Sequence, residues 1–257
     1  MDFLYTISGF AVGFIVGLTG VGGGSLMTPL LVLFFGITPA TAVGTDLLYA
    51  AITKIGGVWV HGRRSNVDWK IVGLLALGSL PSSLITVWVL KRFAVEAAQF
   101  NSLITTTLGI ALILTALVLI FRDRLQKFVK HHVGELWHER HPVPATVATG
   151  LLLGVLVTIS SVGAGALGVA ALTFLYPRLA AVKIVGTDIA HAVPLTAVAG
   201  LGHMALGTVD LTLLGSLLLG SLPGIYLGSH VGVRIQERTL RQVLASMLVL
   251  IGGRLVW

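Results

Sequence analysis

Apolar runs separated by short polar breaks divide the chain into ten segments, at 3–20, 25–35, 40–61, 69–90, 100–121, 145–161, 166–176, 181–204, 210–232 and 239–256. A helix needs about 20 residues to cross a hydrocarbon core of about 30 Å, and most of these runs qualify or come close. The second and seventh do not: about 11 residues rise only about 17 Å as a helix. Between the fifth and sixth segments lies the one long polar stretch, Arg122 to His141.

Composition turns this pattern into a membrane assignment. Hydrophobic residues fill 55% of the 257 positions and charged residues 11%, with a mean hydropathy of +0.96. A soluble domain carries about 25% charged residues, so this chain must bury apolar surface in something besides its own core. The net charge of +7 does not form a basic patch with interleaved aromatics. It sits in the breaks between apolar runs, which favours juxtamembrane loops over nucleic acid. Cysteine is absent, which excludes structural disulfides, thiolate metal sites and cysteine nucleophiles. Met-Asp-Phe-Leu-Tyr lacks the basic region of a cleaved signal, so the first segment is expected to remain in the mature protein.

Lysine and arginine set an expected orientation. With ten crossings, or with the two short segments as re-entrant hairpins, thirteen basic residues fall on one side and three (Lys91, Arg92, Arg254) on the other. The richer side is expected to be cytoplasmic, which puts both termini outside. Lys54 is the basic residue left inside a segment.

The chain also repeats itself. At an offset of 142, Val43-Gly44-Thr45-Asp46 falls on Val185-Gly186-Thr187-Asp188. His61 then meets His203, Val67-Asp68 meets Val209-Asp210, and Leu77-Gly78-Ser79-Leu80-Pro81 meets Leu219-Gly220-Ser221-Leu222-Pro223. Fifteen of the 39 positions from Val43 to Pro81 are identical. At an offset of 141, Gly9, Gly13 and Gly22-Gly23-Gly24 find Gly150, Gly154 and Gly163-Ala164-Gly165. Five segments per unit is an odd number, so the second copy enters the bilayer from the opposite face. That is the plan of inverted-repeat transporters, although channels use duplication too.

Candidate chemistry lies where polar groups enter the apolar segments. Gly22, Gly23, Gly24 and Ser25, and Ser160, Ser161, Gly163 and Gly165, stand at glycine-rich turns before the two short segments. Glycine adopts positive φ without steric cost, and irregular backbone within a bilayer must line a cavity or be buried in protein. A helix N-terminus at each tip would suit an anion. The alternative is that the glycines only permit close helix packing. Asp46 and Asp188 are carboxylates inside membrane segments, facing a translocation path or capping local backbone. They and His191 are the coupling candidates. Lys54 is either an anion contact or a residue snorkelling to the interface. By depth it lies level with Asp188, which makes that pair the expected interaction and leaves Asp46 the freer carboxylate. About 10 Å along the membrane normal separates the aspartates, too far for an aspartyl-protease dyad. Pro81 and Pro223, beside Ser79 and Ser221, either free a carbonyl for the cavity or merely kink the helices. His131, His132, Glu135, His138, Glu139 and His141 form a solvated linker or, alternatively, gather zinc. No Gly-x-Ser-x-Gly elbow occurs, and Ser160-Ser161 has no base beside it.

Gly17-Leu18-Thr19-Gly20-Val21-Gly22-Gly23-Gly24-Ser25, followed by Thr28-Pro29-Leu30-Leu31, resembles the TauE/SafE sulfite-exporter family, also called the toluene-sulfonate uptake permeases. Ala42-Val43-Gly44-Thr45-Asp46 and Gly78-Ser79-Leu80-Pro81 fit the same pattern. The resemblance spans nearly the whole chain and implies secondary transport of sulfite, sulfonates or sulfoacetate across a bacterial cytoplasmic membrane. It brings no settled list of binding residues. Ala164 and Ala166 stand where the first copy has Gly23 and Ser25, so the halves need not contribute equally.

The expected architecture is therefore an all-α polytopic membrane protein. Two inverted five-segment repeats (1–121 and 144–257) with re-entrant hairpins flank a cytoplasmic linker (122–143). Its expected function is proton-coupled transport of a small sulfur-containing anion, with an anion channel or an intramembrane hydrolase as alternatives. The expected partners are that anion and the lipid bilayer, with no cofactor, metal or nucleic acid; the sequence leaves oligomeric state open. Topology is testable in this cysteine-free chain by introducing single cysteines. An impermeant maleimide applied to intact cells should label residues near either terminus and spare those between Arg122 and His141. The reverse labelling would invert the assignment.

Overall fold

The computed structural model describes residues 3–19, 24–93, 97–131, 142–232 and 237–256. Among them the regular structure is entirely helical: α1 (Phe3–Thr19), α2 (Gly24–Leu33), α3 (Pro39–Arg63), α4 (Trp69–Phe93), α5 (Ala97–His131), α6 (Pro142–Ser160), α7 (Ala166–Leu175), α8 (Ala181–Ala205), α9 (Leu211–Gly232) and α10 (Glu237–Val256). These elements match the ten expected segments, with one large departure. Helix α5 continues through Arg122 to His131, into the polar stretch expected to be linker. Charge ends a lipid-facing run but does not end a helix. The segment from Arg122 to Lys130 contains no proline or glycine, and Leu125, Phe128 and Val129 keep helical spacing. His132, Glu135, His138, Glu139 and His141 lie outside the described residues.

Five described helices are long and apolar enough to cross a membrane: Trp69–Arg92, Gln99–Arg122, Pro142–Ser160, Ala181–Ala205 and Leu211–Gly228. Helix α3 is as long as α8, at 25 residues, but carries both Asp46 and Lys54. Helices α2 and α7 have ten residues each, a rise of about 15 Å. The distribution of side chains is that of a polytopic membrane protein. Leu77 and Trp88 on α4, Leu152 on α6 and Tyr226 on α9 point outward, while Asp46 and Asp188 are 0% and 1% exposed. Such an apolar exterior is untenable in water and natural in lipid. Arg63 lies over Trp59 at 4.2 Å and Arg92 over Trp88 at 5.2 Å, cation–aromatic pairs suited to the ends of membrane helices.

Two tight helix pairs join the halves of the chain. On α1, a Cβ at Gly9 or Gly13 would run into the backbone carbonyls of Leu217 and Ser221 on α9. On α6, a Cβ at Gly150 or Gly154 would run into those of Leu75 and Ser79 on α4. Residue numbers rise together in both contacts, so each pair runs parallel. With no hydrophobic drive between helices in lipid, close backbone approach through small residues supplies the attraction.

Helices α3 and α8 pair the other way. The Thr45 hydroxyl accepts from the Asp210 amide at 3.1 Å, and the Thr187 hydroxyl accepts from the Asp68 amide at 2.9 Å. Gly44 and Gly186 leave room for the Thr208 and Asn66 carbonyls of the same two loops. The start of each helix thus touches the loop that follows the other, and the two run antiparallel. Asp68 and Asp210 cap the helices after these loops. Asp68 Oδ1 accepts from the Lys70 and Ile71 amides, and Asp210 Oδ1 from those of Thr212 and Leu213. The duplicated Val-Asp and Gly-Thr motifs are explained by these contacts.

Replacement of Gly150 by Val forces α6 away from the Leu75 carbonyl. It is expected to destabilise the detergent-solubilised protein by about 1–3 kcal/mol. Gly73→Val, at a position where an added Cβ meets nothing within 4 Å, is the control and should leave the thermal midpoint nearly unchanged.

Candidate functional site

Ser160 ends α6 and folds the chain back on itself. Its hydroxyl donates to the Leu156 carbonyl at 2.7 Å and accepts from the Val162 amide at 3.2 Å. Ser161, Gly163 and Gly165 then take φ of 58°, 123° and 142°. For the glycines this costs little; for Ser161 a left-handed backbone costs about 1–3 kcal/mol and needs a compensating contact. The contact is Asp46, whose Oδ2 accepts from the Ser161 hydroxyl at 3.0 Å. Helix α7 then starts at Gly165 with no side chain capping it.

Asp46 sits in α3 at 0% exposure. The same Oδ2 that receives Ser161 also accepts from Thr28 of α2 at 2.5 Å, while Oδ1 has no hydrogen-bond partner. Asp46 is therefore the centre of a three-way junction between α2, α3 and the break after α6. Lys54 lies two turns further along α3 and is 9% exposed. Its ammonium donates to the Ala164 carbonyl of the same break at 2.7 Å. An amide oxygen left over by irregular backbone and a buried cation each lack a partner in lipid, and here they satisfy one another.

Asp188 lies in α8, 1% exposed, against the first turns of α7: a Cβ on Gly168 would strike its Oδ1. That oxygen has no hydrogen-bond partner. The expected direct pair between Lys54 and Asp188 is absent, because the lysine is bonded to Ala164 instead. Asp188 still acts on Lys54 electrostatically, with Asp46 the weaker of the two carboxylates. The expectation that Asp46 is the freer carboxylate is also corrected in part. Matching depths located the lysine but not the hydroxyls of Thr28 and Ser161, which bond Asp46 and leave Asp188 without a partner. One turn beyond Asp188, His191 Nε2 is 2.8 Å from Ser79 Oγ of α4.

Of the expected site residues, the fold gathers Asp46, Lys54, Ser161, Asp188 and His191 with the backbone of Gly163 and Gly165. Ser160 bonds only its own turn. Gly24 and Ser25 open α2, and Gly22 and Gly23 lie outside the described residues. Among those residues no group of three His, Asp or Glu side chains could hold a metal. Thr28 was missed as a site residue. Its signal was its place three residues after the glycine run, inside an apolar segment where a hydroxyl needs a partner. His203 was seen only as a repeat match. Its Nε2 donates to the Thr158 carbonyl at 2.9 Å and its Nδ1 is 2.9 Å from the Thr208 hydroxyl, tying α8 to α6 and to its own following loop.

A family model described as Sulfite exporter TauE/SafE matches residues 5–255. The chain belongs to the TauE/SafE family. It shares 39% identity over 250 residues with the "Probable membrane transporter protein YjnA" of Bacillus subtilis (strain 168), covering 97% of this chain and 98% of that one. "Probable membrane transporter protein YunE" of the same organism is 27% identical over 274 residues, covering 99% and 97%. "Probable membrane transporter protein MJ0441" of Methanocaldococcus jannaschii is 27% identical over 266 residues, covering 97% and 93%. No solved structure matches. This TauE/SafE member is thus a multi-pass membrane transporter and not an enzyme.

Lys54→Met removes a buried cation and leaves the Ala164 carbonyl and the Asp188 carboxylate uncompensated. It is expected to cost about 3–5 kcal/mol of stability. Adding Asp188→Asn should recover part of that loss. A thermal unfolding series on the single and double variants in detergent measures both effects, and a wild-type midpoint for Lys54→Met would contradict them.

Proposed function

We propose that this transporter moves small sulfur-containing anions of the sulfite, sulfonate or sulfoacetate class across the cytoplasmic membrane, coupled to protons. The observation that carries the proposal is the junction of Asp46, Lys54 and the Ser161–Gly165 break. There an uncapped helix start, a buried ammonium and two buried carboxylates meet inside a lipid-facing helical shell. The helix start and the lysine suit an anion; the carboxylates suit a proton.

In this reading the chain consists of two inverted halves, 1–121 and 144–257, joined by the cytoplasmic linker 122–143, and α2 and α7 are the inner arms of re-entrant hairpins. Support comes from the reciprocal contacts of the halves: α1 with α9 mirrors α6 with α4, and each Gly-Thr motif receives the other half's loop. Gly22, Gly23, Gly24 and Ser25 would form the first tip, and the break before α7 the second.

Charge balance assigns the coupling residue. Lys54 offsets one carboxylate, and Asp188 is the one acting on it more strongly. Asp46 then carries the exchangeable proton. Two hydroxyls donate to its Oδ2, the pattern of a carboxylic acid whose carbonyl oxygen accepts twice and whose Oδ1 bears hydrogen. His191, held by Ser79, would relay the state of α8 to α4.

Purified protein in vesicles should accumulate sulfite or a sulfonate against its gradient when a proton gradient is imposed. Asn at position 46 mimics the protonated acid and keeps both hydroxyl contacts. Asp46→Asn should therefore preserve anion exchange at equal pH and lose gradient-driven accumulation by about tenfold or more. Flux that does not saturate and ignores the proton gradient would make the protein an anion channel.

A further inference from the structure

Three buried polar atoms on and beside α3 have no hydrogen-bond partner: Asp46 Oδ1, Tyr49 Oη and Ser221 Oγ of α9. Asp46 and Tyr49 are three residues apart on one helix and share a face. Ser221 is the side-chain neighbour of the Tyr49 hydroxyl, yet the two do not form a hydrogen bond within the fold. All three residues are 0–1% exposed. A buried hydroxyl without a partner costs about 1–3 kcal/mol, so several in one place call for a ligand.

The repeat supplies an internal comparison. At the offset of 142, Tyr49 corresponds to His191 and Ser221 to Ser79. That second pair is closed, with Ser79 Oγ and His191 Nε2 2.8 Å apart. One pair of positions is therefore satisfied within the protein and its counterpart is not. Ser221 is held in place because its backbone and Cβ pack against Gly13 of α1, where any added Cβ would collide.

The chemistry of the open pair selects its ligand. A phenol is a good donor and a weak acceptor, and serine can donate as well. Lys54 stands five residues further along α3 with a positive charge. Two donors near a buried cation suit an acceptor-rich anion and disfavour a metal ion.

We infer that Tyr49 and Ser221 are the specificity contacts for the transported oxyanion, each hydroxyl donating to one of its oxygens. This rests on the transport reading above and assigns binding to one member of each duplicated pair. The anion needs at least two free oxygens on one centre, as sulfite and sulfonates have.

The test uses sulfite uptake into vesicles containing the full chain, with methanesulfonate and acetate as competitors, alongside thermal unfolding of the same variants in detergent without anion. Tyr49→Phe and Ser221→Ala should each raise the KM for sulfite about tenfold with kcat nearly unchanged, and weaken competition by methanesulfonate in parallel. Because each change removes an unpartnered buried hydroxyl, the anion-free variants should melt at or above the wild-type temperature. Wild-type KM in both variants overturns the inference and leaves the transport reading standing. So does a lowered melting temperature or a failure to fold in both, since that outcome gives the hydroxyls a structural role. A wild-type protein that moves none of these anions overturns the transport reading and the inference with it.

Discussion

The bond from the Lys54 ammonium to the Ala164 carbonyl is the contact on which the centre of this protein depends. A lysine in the middle of a membrane helix and a helix broken within the bilayer are each costly by themselves. Together they cancel much of that cost, because the break exposes an acceptor where the lysine needs one. Asp46 repeats the arrangement from the same helix, bonding the strained Ser161 one turn before the amides of α7. Helix α3 of the first half therefore fixes the position of the break in the second. With the break in place, α7 starts where Gly168 can admit the carboxylate of Asp188. The acid, the base and the helix start are properties of one shared junction.

This arrangement also gives the glycine-rich motifs separate tasks. In Gly44-Thr45-Asp46, glycine admits the Thr208 carbonyl, threonine receives the Asp210 amide, and aspartate turns inward to the junction. The second copy does the first two in the same way with Asn66 and Asp68, while its aspartate meets Gly168 in place of two hydroxyls. Duplication preserved the scaffold and let the inward residues diverge, as Lys54 and its counterpart Thr196 also show. Thr196 bonds only the Ala192 and Val193 carbonyls of its own helix.

Much of the fold was legible because lipid imposes a simple rule. Every apolar run had to become a helix, so the breaks located all ten elements to within a few residues, and the two short runs at 25–35 and 166–176 became the two ten-residue helices. The rule fails outside lipid, which is why α5 continued past Arg122 unannounced. At the site, the sequence named Asp46, Lys54, Ser161 and Asp188 because charge and hydroxyls are rare in such segments. It paired the lysine wrongly because matching by depth considers side chains alone, and the acceptor that lysine found is a backbone carbonyl. Thr28 and Tyr49 escaped for a different reason. Hydroxyls are common in membrane helices, where most bond the preceding turn, as Thr53 does to the Tyr49 carbonyl at 2.8 Å. Only tertiary geometry separates the few that do not.

The parallel glycine seams bear on how the molecule is made. Helix α1 leaves the ribosome first, but the helix that fills its glycine face, α9, begins only at Leu211. At ordinary rates of synthesis, about 5–20 residues per second, α1 waits on the order of 10–40 s in lipid before its partner exists. Helix α4 waits far less, since α6 follows directly after α5 and the linker. The first helix to enter the membrane is thus among the last to be locked. A chain that stops short of Gly228 carries an unfilled groove that cellular quality control can recognise.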